Sequence, residues 1–392
     1  DDQVASTATR LTGFTDNWDW ASLTMSNTQP TLDLTAAGSY TLNVWMRQDG
    51  LRLDRLLLIT DTNYIPAGIG PAESPSQIIT NTIPGNLTSH VIRYTYDDLY
   101  RLINAAYTGD ITATFRYAYD PVGNMKAYTQ TVTNTIGITI TRVTRTFDDA
   151  NRLQTSFDYT QGTSSYLYDN NGNLTLLMPP GGDQWKHYAY NQRNLMISHT
   201  LSVSGTNPQL QAQYVYDGNG NRVQQIDRTG PSPITTTYVN DIVGLTQVLV
   251  ADNGTTQTTN LFGLDLVGQD NGTSFHTLLT DGLGSVRSEI ANGDVAATAT
   301  YDPFGNTLDK QGTSSAYGYT GEQFDDASGL LYLRARYYNP NLHSFMGKDM
   351  WSGFRGRPQT MNGWSYVNNN VPNLVDPTGK FPEDCRSAQS YA

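Results

Sequence analysis

Residues suited to chemistry are few in this chain, and their spacing excludes most familiar kinds. The histidines are His90, His187, His199, His276 and His343, and none stands at metal-ligand spacing from another. Neither a Gly-x-Ser-x-Gly elbow nor a Gly-x4-Gly-Lys-Ser/Thr phosphate loop occurs, so hydrolase and nucleotide sites of those types have no support. Asp169, Asn171 and Asn173 have the spacing of the first EF-hand ligands, as do Asp217, Asn219 and Asn221. The glutamate due at the twelfth position is Pro180 in one loop and Arg228 in the other, and a turn explains every residue present. No metal and no cofactor is expected. Trp18, Trp20 and Trp45 have flat faces that could stack on a sugar, although packing in a core is the commoner use of such rings.

The elements that would position any site are strands. Tyr96-Asp-Asp-Leu-Tyr-Arg-Leu102 is followed by Tyr119-Asp-Pro-Val-Gly-Asn-Met125, Phe147-Asp-Asp-Ala-Asn-Arg-Leu153 and Tyr168-Asp-Asn-Asn-Gly-Asn-Leu174. Tyr190-Asn-Gln-Arg-Asn-Leu195 is a degraded copy and Tyr216-Asp-Gly-Asn-Gly-Asn-Arg222 a clear one. Successive starts differ by 23, 28, 21, 22 and 26 residues, enough each time for two strands and two turns. The aromatic ends a strand and the Asp caps a turn by accepting backbone N–H bonds. Asn or Gly then supplies the left-handed backbone that reverses the chain. Ile234 to Thr300 departs from the clean pattern but stays β, with Tyr238 to Val250 reading as one strand-like run. In Tyr317 to Pro340 an Asp325-Asp326-Ser328-Gly329 turn cluster precedes alternating residues through Tyr338, which reads as a tight hairpin.

Composition agrees. Charged residues are only 15% while Tyr alone numbers 25, a profile for many short strands with polar turns rather than helices. A net charge of −12 repels phosphate backbones, so no nucleic-acid partner is expected. The single Cys385 allows no intrachain disulfide, no run of 18 apolar residues could span a membrane, and Asp1-Asp2-Gln3 does not begin a signal peptide. Near the start, Gly38 to Met46 and Leu51 to Ile59 flank an Asp-Gly turn and read as a sandwich strand pair. That segment resembles the closing half of jelly-roll carbohydrate-binding modules.

The ordered set Asp281-Gly-Leu-Gly-Ser-Val-Arg287, Tyr301-Asp-Pro-Phe-Gly-Asn306, Tyr317 to Pro340 and Asp376-Pro-Thr-Gly379 closely resembles the core of rearrangement-hotspot (RHS), or YD-repeat, proteins. Those include toxin-enclosing bacterial shells and teneurin adhesion proteins. The resemblance implies an all-β fold, with stacked hairpins curling into a barrel or shell. In the shell-forming relatives the core ends as an aspartyl autoprotease, with paired acids cutting the chain just after Asp-Pro-x-Gly. Carried over by matching positions, the acids are Asp349 and Asp376 and the cut lies near Gly379-Lys380-Phe381. Two carboxylates suit the task because one must hold a proton while the other activates water. The chain departs from the pattern at His343-Ser344-Phe345, Asp349-Met350 and Lys380.

The expected organisation is a partial β-sandwich at 1–67, a linker at 68–90, YD repeats at 91–240, an RHS-associated core at 241–380 and a tail at 381–392. The leading functional expectation is a structural YD-repeat scaffold, secreted or held at a bacterial cell surface, that partners copies of itself or other shell proteins. Two alternatives stand beside it: the self-cleaving end of a toxin-enclosing shell, and a glycan-binding adhesion module.

Overall fold

The computed structural model describes residues 11–12, 23–24 and 90–384, except 135–136, 183, 204–206, 264 and 313–314. The expected N-terminal strand pair, the linker, Trp18, Trp20 and Trp45 lie outside the described residues. The chain divides into two compact units, 1–80 and 81–392. In the first, β1 (Leu11–Thr12) pairs antiparallel with β2 (Leu23–Thr24).

The second unit is an antiparallel meander of twenty strands, from β3 (His90–Tyr96) to β22 (Thr307–Gly312), in which each strand pairs with the next in sequence. The neighbours come full circle, with β22 beside β3. Tyr107 in an early strand donates its hydroxyl to the carbonyl of Tyr301 in a late one at 3.0 Å, a contact that only a curled sheet allows.

One local device repeats along one rim. Asp97, Asp120, Asp148, Asp169, Asn191, Asp217, Asp281 and Asp302 each use Oδ1 to accept the backbone N–H groups two and four residues on. The residue three places on always has positive φ, from 59° at Tyr100 to 95° at Gly305. Gly takes that backbone at no steric cost, and Asn tolerates it. Asn191 shows that the degraded copy keeps the geometry. Three of the tyrosines ahead of these turns stitch one repeat to the last. Tyr119, Tyr190 and Tyr216 donate their hydroxyls to the carbonyls of Leu102, Leu174 and Met196 at 2.7, 3.0 and 2.6 Å, and each acceptor opens the strand after the preceding turn.

The residues after β22 form a plug across that same rim. It holds β23 (Gln323–Asp325), β24 (Leu330–Leu333), β25 (Arg336–Asn339) and β26 (Ser344–Phe345) in one small sheet, then β27 (Leu374–Val375) paired with β28 (Glu383–Asp384). Two expectations change in detail. The alternating run through Tyr338 is not one strand, because Arg334 adopts φ 58° and turns the chain between β24 and β25. All four residues of β24 are buried, since the plug has sheet on one side and its own loops on the other. Tyr238 to Val250 likewise divides into strands at Ile234–Asp241 and Gln247–Asp252, with Asp241 capping the turn at Val243 N–H.

Two apolar clusters join plug to sheet. Tyr338, Phe345, Tyr366 and Val371 pack with Leu102, Phe115 and Phe304, while Leu330, Tyr337 and Met346 pack with Leu174, Tyr188 and Tyr214. Full burial stabilises each such side chain by about 1.5–3 kcal/mol. Polar contacts set the seating. Trp364 donates to Gly172 O at 3.0 Å, Asn369 to Gly123 O at 2.9 Å and Tyr338 to Phe304 O at 2.8 Å, all in rim turns.

Candidate active site in the plug

Arg336 opens β25 and is the centre of the site. Its guanidinium lies over the ring of Phe345, 3.5 Å from the centroid, so one face of the cation is shielded from water. Nη1 donates to Gly363 O at 3.0 Å. Nη2 is 2.8 Å from Asp349 Oδ2 and 3.5 Å from Asp376 Oδ2, so one nitrogen meets both acids. Asp349 is held by its own N–H on Gly363 O, at 2.9 Å, and caps Trp351 N–H at 2.8 Å.

Asp376 begins a turn of the rim type, transplanted into the plug. Its Oδ1 accepts Lys380 N–H at 3.0 Å and the Thr378 hydroxyl at 3.2 Å, and Gly379 three residues on has φ 65°. A Cβ at Gly379 would stand 2.3 Å from Leu333 O, so only glycine fits so close to the β24–β25 turn. The turn grips the loop carbonyl by carbonyl. Arg334 Nη1 donates to Pro377 O at 2.6 Å, Ala335 N–H to Thr378 O at 3.2 Å, and Arg336 Nε to Gly379 O. The Gly379–Lys380 peptide is thereby held from both sides, its carbonyl by a cation and its N–H by a carboxylate.

Burial dominates the electrostatics. It pushes Asp376 up to about 6 against the opposing pull of Arg336 and the Lys380 N–H. It raises Asp349 as well, again against Arg336. Glu322, which no sequence signal singled out, lies close enough for Asp376 to add to the effect of burial, and it is pushed up to about 7. Both its oxygens meet Arg334 Nη1, at 2.8 and 2.7 Å. A cavity of about 110 Å³ with a mixed polar and apolar lining lies beside this pair, lined by Thr246, Glu322, Arg334, Val375 and Pro377 among others.

Sequence reasoning had named Asp349 and Asp376, and the fold brings them to one guanidinium. It missed Arg336, Arg334 and Glu322, because their roles depend on which carbonyls and acids the plug folds against them. His199 and His343 serve packing instead. His199 stacks on Tyr188 at 5.1 Å, and His343 is buried against Phe304 and Tyr128 at 4.6 and 4.9 Å. Among the described residues no group of three or more His, Cys, Asp or Glu could hold a metal ion. In the Asp169 loop the Asn171 and Asn173 amides donate to Asn194 Oδ1, at 2.9 Å each, linking adjacent rim turns.

The teneurin YD-shell family model matches residues 75–373. The chain belongs to the YD-shell family. That match takes in Asp349 and stops just short of Asp376. Among curated proteins, this YD shell is 27% identical over 280 residues to the tRNA3(Ser)-specific nuclease WapA of Bacillus spizizenii, covering 68% of this chain and 11% of that protein. It is 28% identical over 173 residues to salivary gland surface protein 1 of Aedes aegypti, covering 43% of this chain and 4% of the relative. The YD shell thus spans about a tenth or less of the length of these relatives. Among solved structures it is similar to the crystal structure of TcdB2-TccC3, at 19% identity and a TM-score of 0.40, covering 74% of this chain and 19% of that one. Among the described residues no helix is long and apolar enough to cross a membrane.

Proposed function

We propose that this chain is the closing end of a YD shell whose plug cuts its own backbone between Gly379 and Lys380. The observation that carries this reading is the bracketing of that peptide by Arg336, Asp376 and, through Arg336, Asp349. In the reaction Asp349, ionised beside Arg336, takes a proton from water as the water oxygen bonds to the Gly379 carbonyl carbon. Arg336 Nε steadies the charge that develops on the Gly379 oxygen. Asp376 in its protonated form, available up to about pH 6, gives its proton to the Lys380 nitrogen as the C–N bond breaks. The products are a carboxylic acid at Gly379 and an amine at Lys380, and the segment after the cut is what such a shell would release.

Intact mass of wild type and Asp376→Asn tests this. A fragment ending at Gly379 in wild type alone is the expected result, and two uncut chains of equal mass would sink it.

A second reading keeps a scaffold without catalysis, held outside a bacterial cell and assembling with copies of itself. What favours it is the departure of His343-Ser344-Phe345, Asp349-Met350 and Lys380 from the self-cleaving pattern. Discrete monomers in light scattering at high concentration would end that reading. Glycan binding by the N-terminal segment stays a separate proposal, for a glycan array to decide.

A further inference from the structure

We infer that Glu322 and Arg334 form a positioning pair that seats the Asp376 loop for cutting, and seats it only against a shell wound as far as Thr246. This rests on the self-cleaving reading above. Arg334 joins three separate parts of the chain. Its Nε donates to Thr246 O at 2.8 Å, in the rim turn between the Ile234–Asp241 and Gln247–Asp252 strands. Its Nη1 meets both oxygens of Glu322 and donates to Pro377 O at 2.6 Å. Pro377 O is the first of three successive carbonyls held by Arg334, Ala335 and Arg336, and the third belongs to the peptide to be cut. Shifting the first therefore shifts the last relative to Asp376.

Packing alone does not fix that loop. Pro377 and Val375 border the cavity of about 110 Å³, so the loop has room to settle differently once Arg334 lets go. Glu322 is 6% exposed and keeps the guanidinium turned toward Pro377; its loss would leave Arg334 without an ionic partner among the described residues. The anchor at Thr246 belongs to the shell and not to the plug. A shell misfolded at that turn would remove the Nε anchor, and Arg334 with Glu322 and Pro377 would lose its fixed place on the rim.

The test uses the full chain, followed by intact mass over time and by amide hydrogen exchange. Exchange is read in the Asp349→Asn background, where the chain stays whole. Glu322→Gln, which keeps the side chain's size, is expected to slow cutting about 10²-fold, as misplacement by about an ångström does in other enzymes. It is also expected to speed exchange at Ala335, Gly379 and Lys380 while the amides of β24, β25 and the rim turns stay protected. Arg334→Lys, which keeps the charge but offers one donor group, should fall between the two.

Cutting at the wild-type rate with unchanged exchange would overturn the inference. So would an even loss of protection across the whole plug, because that is what a merely structural ion pair would give. A wild-type chain that never cuts would sink the proteolytic reading instead, and the exchange pattern alone would then decide whether the pair seats the loop.

Discussion

The rim turn at Asp217 and the plug turn at Asp376 are built alike and end in opposite electrostatic states. Each Asp accepts the N–H four residues on, at 2.9 and 3.0 Å, and each turn places a positive-φ glycine three residues after the acid, Gly220 at 93° and Gly379 at 65°. Asp217 is only partly buried. The cost of that burial is outweighed by the combined hydrogen bonds from Asn221, Asn219 and Gly220, which hold it below the usual carboxylate range. Asp376 is 2% exposed, and burial wins over Arg336 and its own turn to raise it to about 6. One local motif thus holds a lowered acid at Asp217 and a raised one at Asp376. What changes is the solvent around it.

Four experiments would break or sharpen that comparison, and the first separates the turns by function. Asp376→Asn should lower self-cleavage on the order of 10⁴-fold or more, as loss of one member of an interdependent set does. Asp217→Asn should leave the cut intact. Equal cutting by the two variants, read by intact mass, would mean the turns do not differ in chemistry.

The second concerns the cation. Arg336→Met strands Asp376 as a buried charge and should cost the plug about 3–5 kcal/mol in urea unfolding. The more exposed pair of Arg152 with Asp148, at 2.7 Å, has the same chemistry at the rim. Arg152→Met should cost about 1 kcal/mol or less.

The third is a pH dependence of opposite sign. Burial raises Asp376 and Asp302 to about 6 and Glu322 to about 7. Between roughly pH 4 and 7 the folded state binds more protons at these groups than the unfolded chain, so stability falls as pH rises through that window. The depressed acids Asp148 and Asp217 act the other way. Their contribution is present above the unfolded carboxylate pKa and is lost as pH falls through their folded values. Melting should therefore be higher at pH 5 than at pH 7.5. Asp376→Asn should remove on the order of 1–1.5 kcal/mol of that difference. A melting temperature that rises steadily from pH 5 to 7.5 would contradict the burial of these acids.

The smallest effect is on the cap. Asp217→Asn keeps Oδ1 for the two backbone N–H groups but loses the acceptor that meets Asn221 Nδ2 at 3.0 Å. The expected cost is about 0.5–1 kcal/mol. Asn191 already performs this role in its own turn, at 2.9 and 3.1 Å. A loss of several kcal/mol would show that the rim turns carry more than local capping.

Much of this protein was legible before any coordinates. A Tyr, an Asp and a Gly or Asn at fixed offsets specify a strand end, a capped turn and a left-handed residue, all within about five positions. Short-range hydrogen bonds and sterics decide such features, so the repeats, the all-β class and even the turn at Asp376 follow from order along the chain. Tyr238 to Val250 and the run through Tyr338 were misjudged as unbroken because alternation survives across their turns, and Arg334 carries no glycine-like mark of its positive φ. Which acid is buried, which guanidinium stands between Asp349 and Asp376, and which carbonyls Arg334 and Arg336 hold were decided by the fold alone. Those partners lie as many as 88 residues apart, between Thr246 and Arg334, and meet only when the sheet has curled and the plug has closed its rim. Burial and long-range contact are properties of the assembled whole, and they turn a capping aspartate into a candidate acid.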